Sequence, residues 1–182
     1  MGDEFAVERW SVGGSRSWGA LMPSPEFSSV CLAWGVWLQG GKVYAAGVGT
    51  GYGDQGTGAA HVLTRWSTDG NLESKKVWAP AQISEALGIW GSGNVVYTAG
   101  YSNPGDGGAS DLLVAAWDAS TLQLLWNSTW DGETGERRSA GGGGGGGGLF
   151  DLNVGAQPAW VVLVLAAFSV AFVATRSRER RH

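Results

Sequence analysis

The sequence predicts an all-β fold of antiparallel four-stranded units repeated along the chain, followed by one membrane-spanning helix. Three observations predict it. Residues 33–48 match residues 86–101 at a fixed offset of 53, at Ala33, Gly35, Trp37, Gly40, Val43, Tyr44, Ala46 and Gly47, which is half of the aligned positions. The 182 residues include 32 glycines and 11 tryptophans with few charges, a composition suited to short strands joined by tight turns. Near the end, Ala159 to Thr175 runs for 17 residues without a charge. A repeat of this period usually means that each unit buries its apolar face on the next.

Each repeat is expected to hold four strands. In the first they fall at Cys31–Gln39, Lys42–Gly49, Ala60–Ser67 and Leu72–Trp78. Gly40-Gly41 is the hairpin turn between the first two, because such turns need positive φ. A polar loop, 50–59, precedes the third strand, and Asp69-Gly70 turns into the fourth. The second repeat follows the same plan at Glu85–Trp90, Val95–Tyr101, Asp111–Asp118 and Leu122–Trp130, with turns at 91–94 and 119–121 and a long loop at 102–110. The opening Phe5-Ala6-Val7-Glu8-Arg9-Trp10-Ser11 aligns with 62–67 and 113–118, Trp10 falling with Trp66 and Trp117. It is expected to be the second half of a preceding unit.

The run Gly88-Ile89, Gly93-Asn94-Val95-Val96-Tyr97, Gly100, then Asp111-Leu112-Leu113-Val114-Ala115 and Leu124-Leu125-Trp126-Asn127-Ser128-Thr129-Trp130 resembles the β-propeller repeat of prokaryotic surface and secreted proteins, the SBBP family. The resemblance covers 3–132, and it departs from the family where Trp37 and Trp90 replace an aspartate usual before the hairpin glycine. It implies an incomplete β-propeller over 1–132: a half blade at 3–20, a blade at 31–78 and another at 85–130. Propellers close with roughly four to eight blades. About two and a half blades therefore imply an N-terminally incomplete chain, or one that self-associates through exposed blade faces.

Residues 133–158 are expected to be a flexible linker, centred on the eight glycines Gly141–Gly148. No Lys-Ser/Thr follows them, as a phosphate-binding loop requires. Residues 159–175 would span roughly 25 Å as a helix, the short end of what crosses a bilayer. Nine of the 17 are Val, Leu or Phe. The basic tail, 176–182, carries Arg176, Arg178, Arg180 and Arg181 against Glu179. Positive charge beside a span marks the cytoplasmic side, so the repeats are expected outside the cell. Met1-Gly2-Asp3-Glu4-Phe5 lacks the basic start and apolar core of a signal peptide. Export therefore implies a start further upstream; tail insertion would instead leave the repeats in the cytoplasm.

Of the formal net charge of −4 the tail contributes +3, so the remainder carries −7. An acidic body argues against a nucleic-acid partner, which needs a basic surface. Cys31 is the only cysteine and reads as a small core residue, excluding an intramolecular disulfide. No catalytic set assembles from the two histidines, His61 and His182. His61 reads as a loop-edge residue. Asp54, Asp106 and Asp111 are candidates for calcium, although carboxylates in Gly-rich loops are more often simply solvated. Asn127-Ser128-Thr129 is a glycosylation sequon on the fourth strand of a blade. The equivalent pairs Trp37/Trp90 and Trp66/Trp117 are expected to pack between blades, sugar-stacking platforms being the alternative.

The function expected is that of a non-enzymatic, membrane-anchored surface protein without cofactor, its bilayer partner met through 159–175 and its ligand a protein or a carbohydrate. The alternatives are a fragment of a quinoprotein-like or lyase-like propeller enzyme, from the Leu125-Trp126 strand ending, and a cytoplasmic tail-anchored scaffold.

Overall fold

The computed structural model describes residues 5–23, 25–53, 56–105, 110–130 and 137–138. These are all-β. The strands are β1 (Ala6–Trp10), β2 (Arg16–Leu21), β3 (Cys31–Gln39), β4 (Lys42–Tyr52), β5 (Gly58–Ser67), β6 (Leu72–Trp78), β7 (Ile83–Ser92), β8 (Val95–Asn103), β9 (Asp111–Asp118), β10 (Leu124–Trp130) and β11 (Arg137–Arg138). β1 and β2 form a separate hairpin. β3 to β6 pair in succession as one antiparallel meander and β7 to β10 as a second. One parallel bridge, Ala59↔Ile83, joins the meanders into a mixed sheet. The described strands close no ring. Among the described residues no helix is long and apolar enough to cross a membrane. The expected span 159–175, the tail 176–182 and the linker apart from β11 lie outside the described residues.

The two meanders share one register. Trp37 pairs with Tyr44 and Trp90 with Tyr97; Val43 pairs with Trp66 and Val96 with Trp117. The equivalences drawn from sequence are therefore equivalences of position. Strand ends differ from expectation by a few residues: β4, β5, β7 and β8 run on by ladder pairing into the polar segments, and Gly91-Ser92 belongs to β7 rather than to the turn.

Alternation along β4 shows how the layers stack, since successive side chains of a strand point to opposite faces. Val43 and Ala45 lie in a buried cluster with Phe5, Val7 and Met22 of the hairpin segment and with Val62 and Trp66 of β5. Tyr44 and Ala46 lie in the other cluster, with Leu63 of β5 and Ala86, Val96, Ala115 and Trp117 of the second meander. The first meander is thus covered on both faces, by the hairpin on one and the second meander on the other. Trp66 and Trp117 are both fully buried on the face toward the preceding layer, each anchored by its indole N–H to a threonine hydroxyl, Thr64 and Thr98, at 2.8 Å. Trp10, aligned with them, is 57% exposed. It sits on the outer face of the hairpin, with no layer over it among the described residues. Trp37 and Trp90 touch directly, ring centroids 5.9 Å apart.

Polar contacts fix the layers. Trp18 of the hairpin donates to the Thr68 carbonyl at 2.8 Å. Between meanders, Gln39 donates to the Gly93 carbonyl at 2.6 Å and the Tyr44 hydroxyl to the Ala119 carbonyl at 3.0 Å. Arg65 donates to Ala119 O at 3.1 Å and also to Ser120 O. The turn that receives them is held by Asp118. Its Oδ1 accepts from Ser120 N and Thr121 N, both at 2.9 Å, and from both hydroxyls. These bonds hold its pKa down at about 2.

The repeated glycines have two separate causes. Gly40 and Gly93 stand at the same hairpin turn with φ of 57° and 58°, where a side chain is strained. Gly47 and Gly100 stand opposite matching irregularities in β3 and β7, between Ala33 and Gly35 and between Ala86 and Gly88. There an extra residue, Trp34 or Leu87, bulges the strand toward its partner. A Cβ on Gly47 would lie 1.8 Å from the Leu32 carbonyl oxygen, and one on Gly100 1.8 Å from that of Glu85. Gly88, by contrast, has open space where a Cβ would go. Gly47→Ala and Gly100→Ala are each expected to lower unfolding free energy by about 1–3 kcal/mol, as overpacking does, and Gly88→Ala to change it little; urea unfolding checks the contrast.

Candidate functional site

The bulge at Trp34 leads to the candidate site. An extra residue in a strand leaves the ladder and re-aims its side chain. Trp34 turns toward the second meander, and its indole N–H donates to Glu85 Oε1 at 2.5 Å. The hydroxyl of Tyr101, the cross-strand partner of Glu85, donates to Oε2. The carboxylate is therefore gripped from two sides on the wall of a cleft of about 480 Å³. Ser29 and Thr57 add hydroxyls, Thr50 lines the wall with its hydroxyl bonded to the Val30 backbone, Gly51, Gly56 and Gly58 add bare backbone, and Leu32 and Val48 form an apolar wall. Glu85 is the one charged side chain among these lining residues. Trp34 remains 52% exposed, so its ring offers a free surface beside a fixed carboxylate.

These residues depart from the repeat. By register, Glu85 and Tyr101 occupy the places of Leu32 and Val48, which pair across β3 and β4. Trp34 occupies the place of Leu87. Positions that pack the layers are repeated, whereas the positions that make this cleft polar and aromatic are not. Sequence reasoning missed Trp34, Glu85 and Tyr101. The available signal was the mismatches at offset 53, two inside the aligned window (Trp34 against Leu87, Val48 against Tyr101) and one just before it (Leu32 against Glu85), not the matches.

The sequence-derived candidates fall elsewhere. Asp54 and Asp106 lie outside the described residues. Asp111 opens β9, paired with Ser102. Among the described residues no group of three or more His, Cys, Asp or Glu is placed to hold a metal ion. Asn127 lies in β10, half-buried, with its Oδ1 enclosed.

His61 is not a loop-edge residue. It sits inside β5, fully buried, with its ring 5.7 Å from that of Trp78 and 5.5 Å from that of Trp117. Among the described residues neither ring nitrogen has a hydrogen-bond partner. The sequence misled here because a histidine next to a polar loop looks exposed, while the ladder pairing with Val48 and Trp78 carries β5 under the second meander.

No protein-family model matches this chain, and no curated protein matches it either.

Burial without a partner disfavours the imidazolium and pushes the His61 pKa down to about 3. Between its ordinary value of 6.5 and about 3, the unfolded chain binds a proton there that the folded chain does not. Stability therefore falls as pH drops through that window. His61→Leu, which installs the residue found at the equivalent Leu112, is expected to flatten this loss; urea midpoints at about pH 7 and about pH 4.5 measure it.

Proposed function

We propose that the chain is a non-catalytic, membrane-tethered binding protein of the β-propeller-repeat type, displaying its β-layers outside the cell with the C-terminus in the cytoplasm. The observation that carries this reading is the layering. Repeat-related residues take matching places between successive layers: Val43 and Val96, Trp66 and Trp117 each face the preceding layer. Face-to-face stacking of four-stranded meanders is the packing that propeller blades use. The charge-free run 159–175 and the arginines after it support a bilayer anchor with the repeats outside. The acidic body disfavours nucleic acid as the ligand.

The cleft beside Trp34 is the binding place on this reading, because it is where the chain abandons its packing repeat for an exposed aromatic and a held carboxylate. Both ends of the stack also present apolar side chains, Trp10 and Leu21 on the hairpin and Trp126 and Trp130 on β10, and self-association is proposed to use them.

Protease treatment of intact cells expressing the full chain tests the arrangement. External protease is expected to digest the repeats while an epitope at the C-terminus stays protected and membrane-bound. Repeats that resist until the cells are lysed would overturn the outward orientation and favour the cytoplasmic, tail-anchored reading.

A further inference from the structure

We infer that the cleft at Trp34 binds a neutral pyranose sugar, with the sugar's C–H face laid on the Trp34 ring and its hydroxyls donating to the Glu85 carboxylate. The inference rests on the binding-module reading above and names the ligand class of that same site.

The aromatic surface is prepared. Trp34 is half-exposed, yet its indole N–H is tied to Glu85 and its backbone is held in a bulge. A ring with two side-chain torsions, pinned at one end, loses little freedom when a ligand stacks on it. The acceptors are prepared as well. A carboxylate offers about four lone-pair sites, and the bonds from Trp34 and Tyr101 occupy one on each oxygen. The remaining sites are left for other donors. Hydroxyls of Ser29 and Thr57 on the cleft wall both donate and accept, as sugar hydroxyls do, whereas that of Thr50 is tied to the Val30 backbone, donating to its carbonyl at 3.2 Å and accepting from its N–H at 3.0 Å.

Charge and shape decide between ligand classes. A phosphate or carboxylate ligand would meet Glu85 with no Lys or Arg among the lining residues to offset it. An organic cation is held best when it is desolvated against aromatic faces, and here one exposed ring stands over an open, hydroxyl-lined wall. A neutral polyol uses every feature present. The volume, about 480 Å³, falls within the ordinary range of small-molecule sites. The three residues that make the site, Trp34, Glu85 and Tyr101, stand where the other repeat has Leu87, Leu32 and Val48, so none is explained by repeat packing.

Ligand-observed saturation-transfer NMR tests the inference. The full chain, held in phosphatidylethanolamine–phosphatidylglycerol nanodiscs free of sugar and choline headgroups, is titrated with methyl glucoside, methyl mannoside and methyl galactoside, and separately with tetramethylammonium. At least one glycoside is expected to bind saturably in the millimolar range, with transfer strongest to ring C–H protons. Glu85→Gln is expected to weaken it about tenfold, a loss of one charge-assisted acceptor. Trp34→Ala is expected to abolish it and Trp34→Phe, which keeps a ring face, to retain part. Trp10→Ala, an exposed tryptophan elsewhere, is expected to leave it unchanged. Binding of none of the glycosides, binding that survives Trp34→Ala, or binding of tetramethylammonium alone would overturn the inference. Since purified protein is used, those results are independent of which side of the membrane the repeats face.

Discussion

The structure depends on one constraint: a sheet with two apolar faces must be covered on both. β4 states it most plainly. Its run Val43-Tyr44-Ala45-Ala46 is buried throughout, with alternate side chains delivered to opposite clusters. A strand of that kind cannot stand at a solvent face, so the first meander exists as the middle layer between the hairpin and the second meander. The large aromatics then follow. Trp66 and Trp117 fill the spaces between layers, and a threonine hydroxyl at 2.8 Å satisfies the indole N–H of each. Such buried rings contribute much apolar area and need that polar partner.

The sheet faces supply cohesion without direction, and the polar contacts at the turns supply direction. Asp118 closes the turn 118–122 on itself, which leaves the carbonyls of Ala119 and Ser120 pointing at Tyr44 and Arg65 of the first meander. Arg65 is steadied in turn by Glu73 at 3.1 Å, and Lys42 also pairs with Glu73. Leu122, in the same turn, adopts a φ of 56° and is fully buried in the cluster between the meanders. A branched side chain in that conformation carries strain, and its burial offsets it.

Much of the fold was legible because repetition and alternation are statements about packing. The matches at Val43, Tyr44, Ala46 and Gly47 mark residues whose surroundings recur, and β3, β6 and β9 have the bounds expected of them. Strand ends were less legible, since ladder pairing extends β4, β5, β7 and β8 into segments that read as polar loop. His61 was misread for the same reason. The cleft was illegible for a different one: Trp34, Glu85 and Tyr101 are distinguished by not repeating, and their proximity depends on a bulge that local sequence does not announce. Gly47 hinted at it, because a repeated glycine outside any turn implies close backbone approach.

Native-state hydrogen exchange on the full chain, with and without Trp117→Ala, tests the layered account most directly. Trp117 belongs to the second meander but seals the face of the first. The account expects its truncation to lower protection in β4 and β5 along with β8 and β9, since the layers open together. Loss of protection confined to β7–β10, with β4 and β5 unchanged, would contradict it.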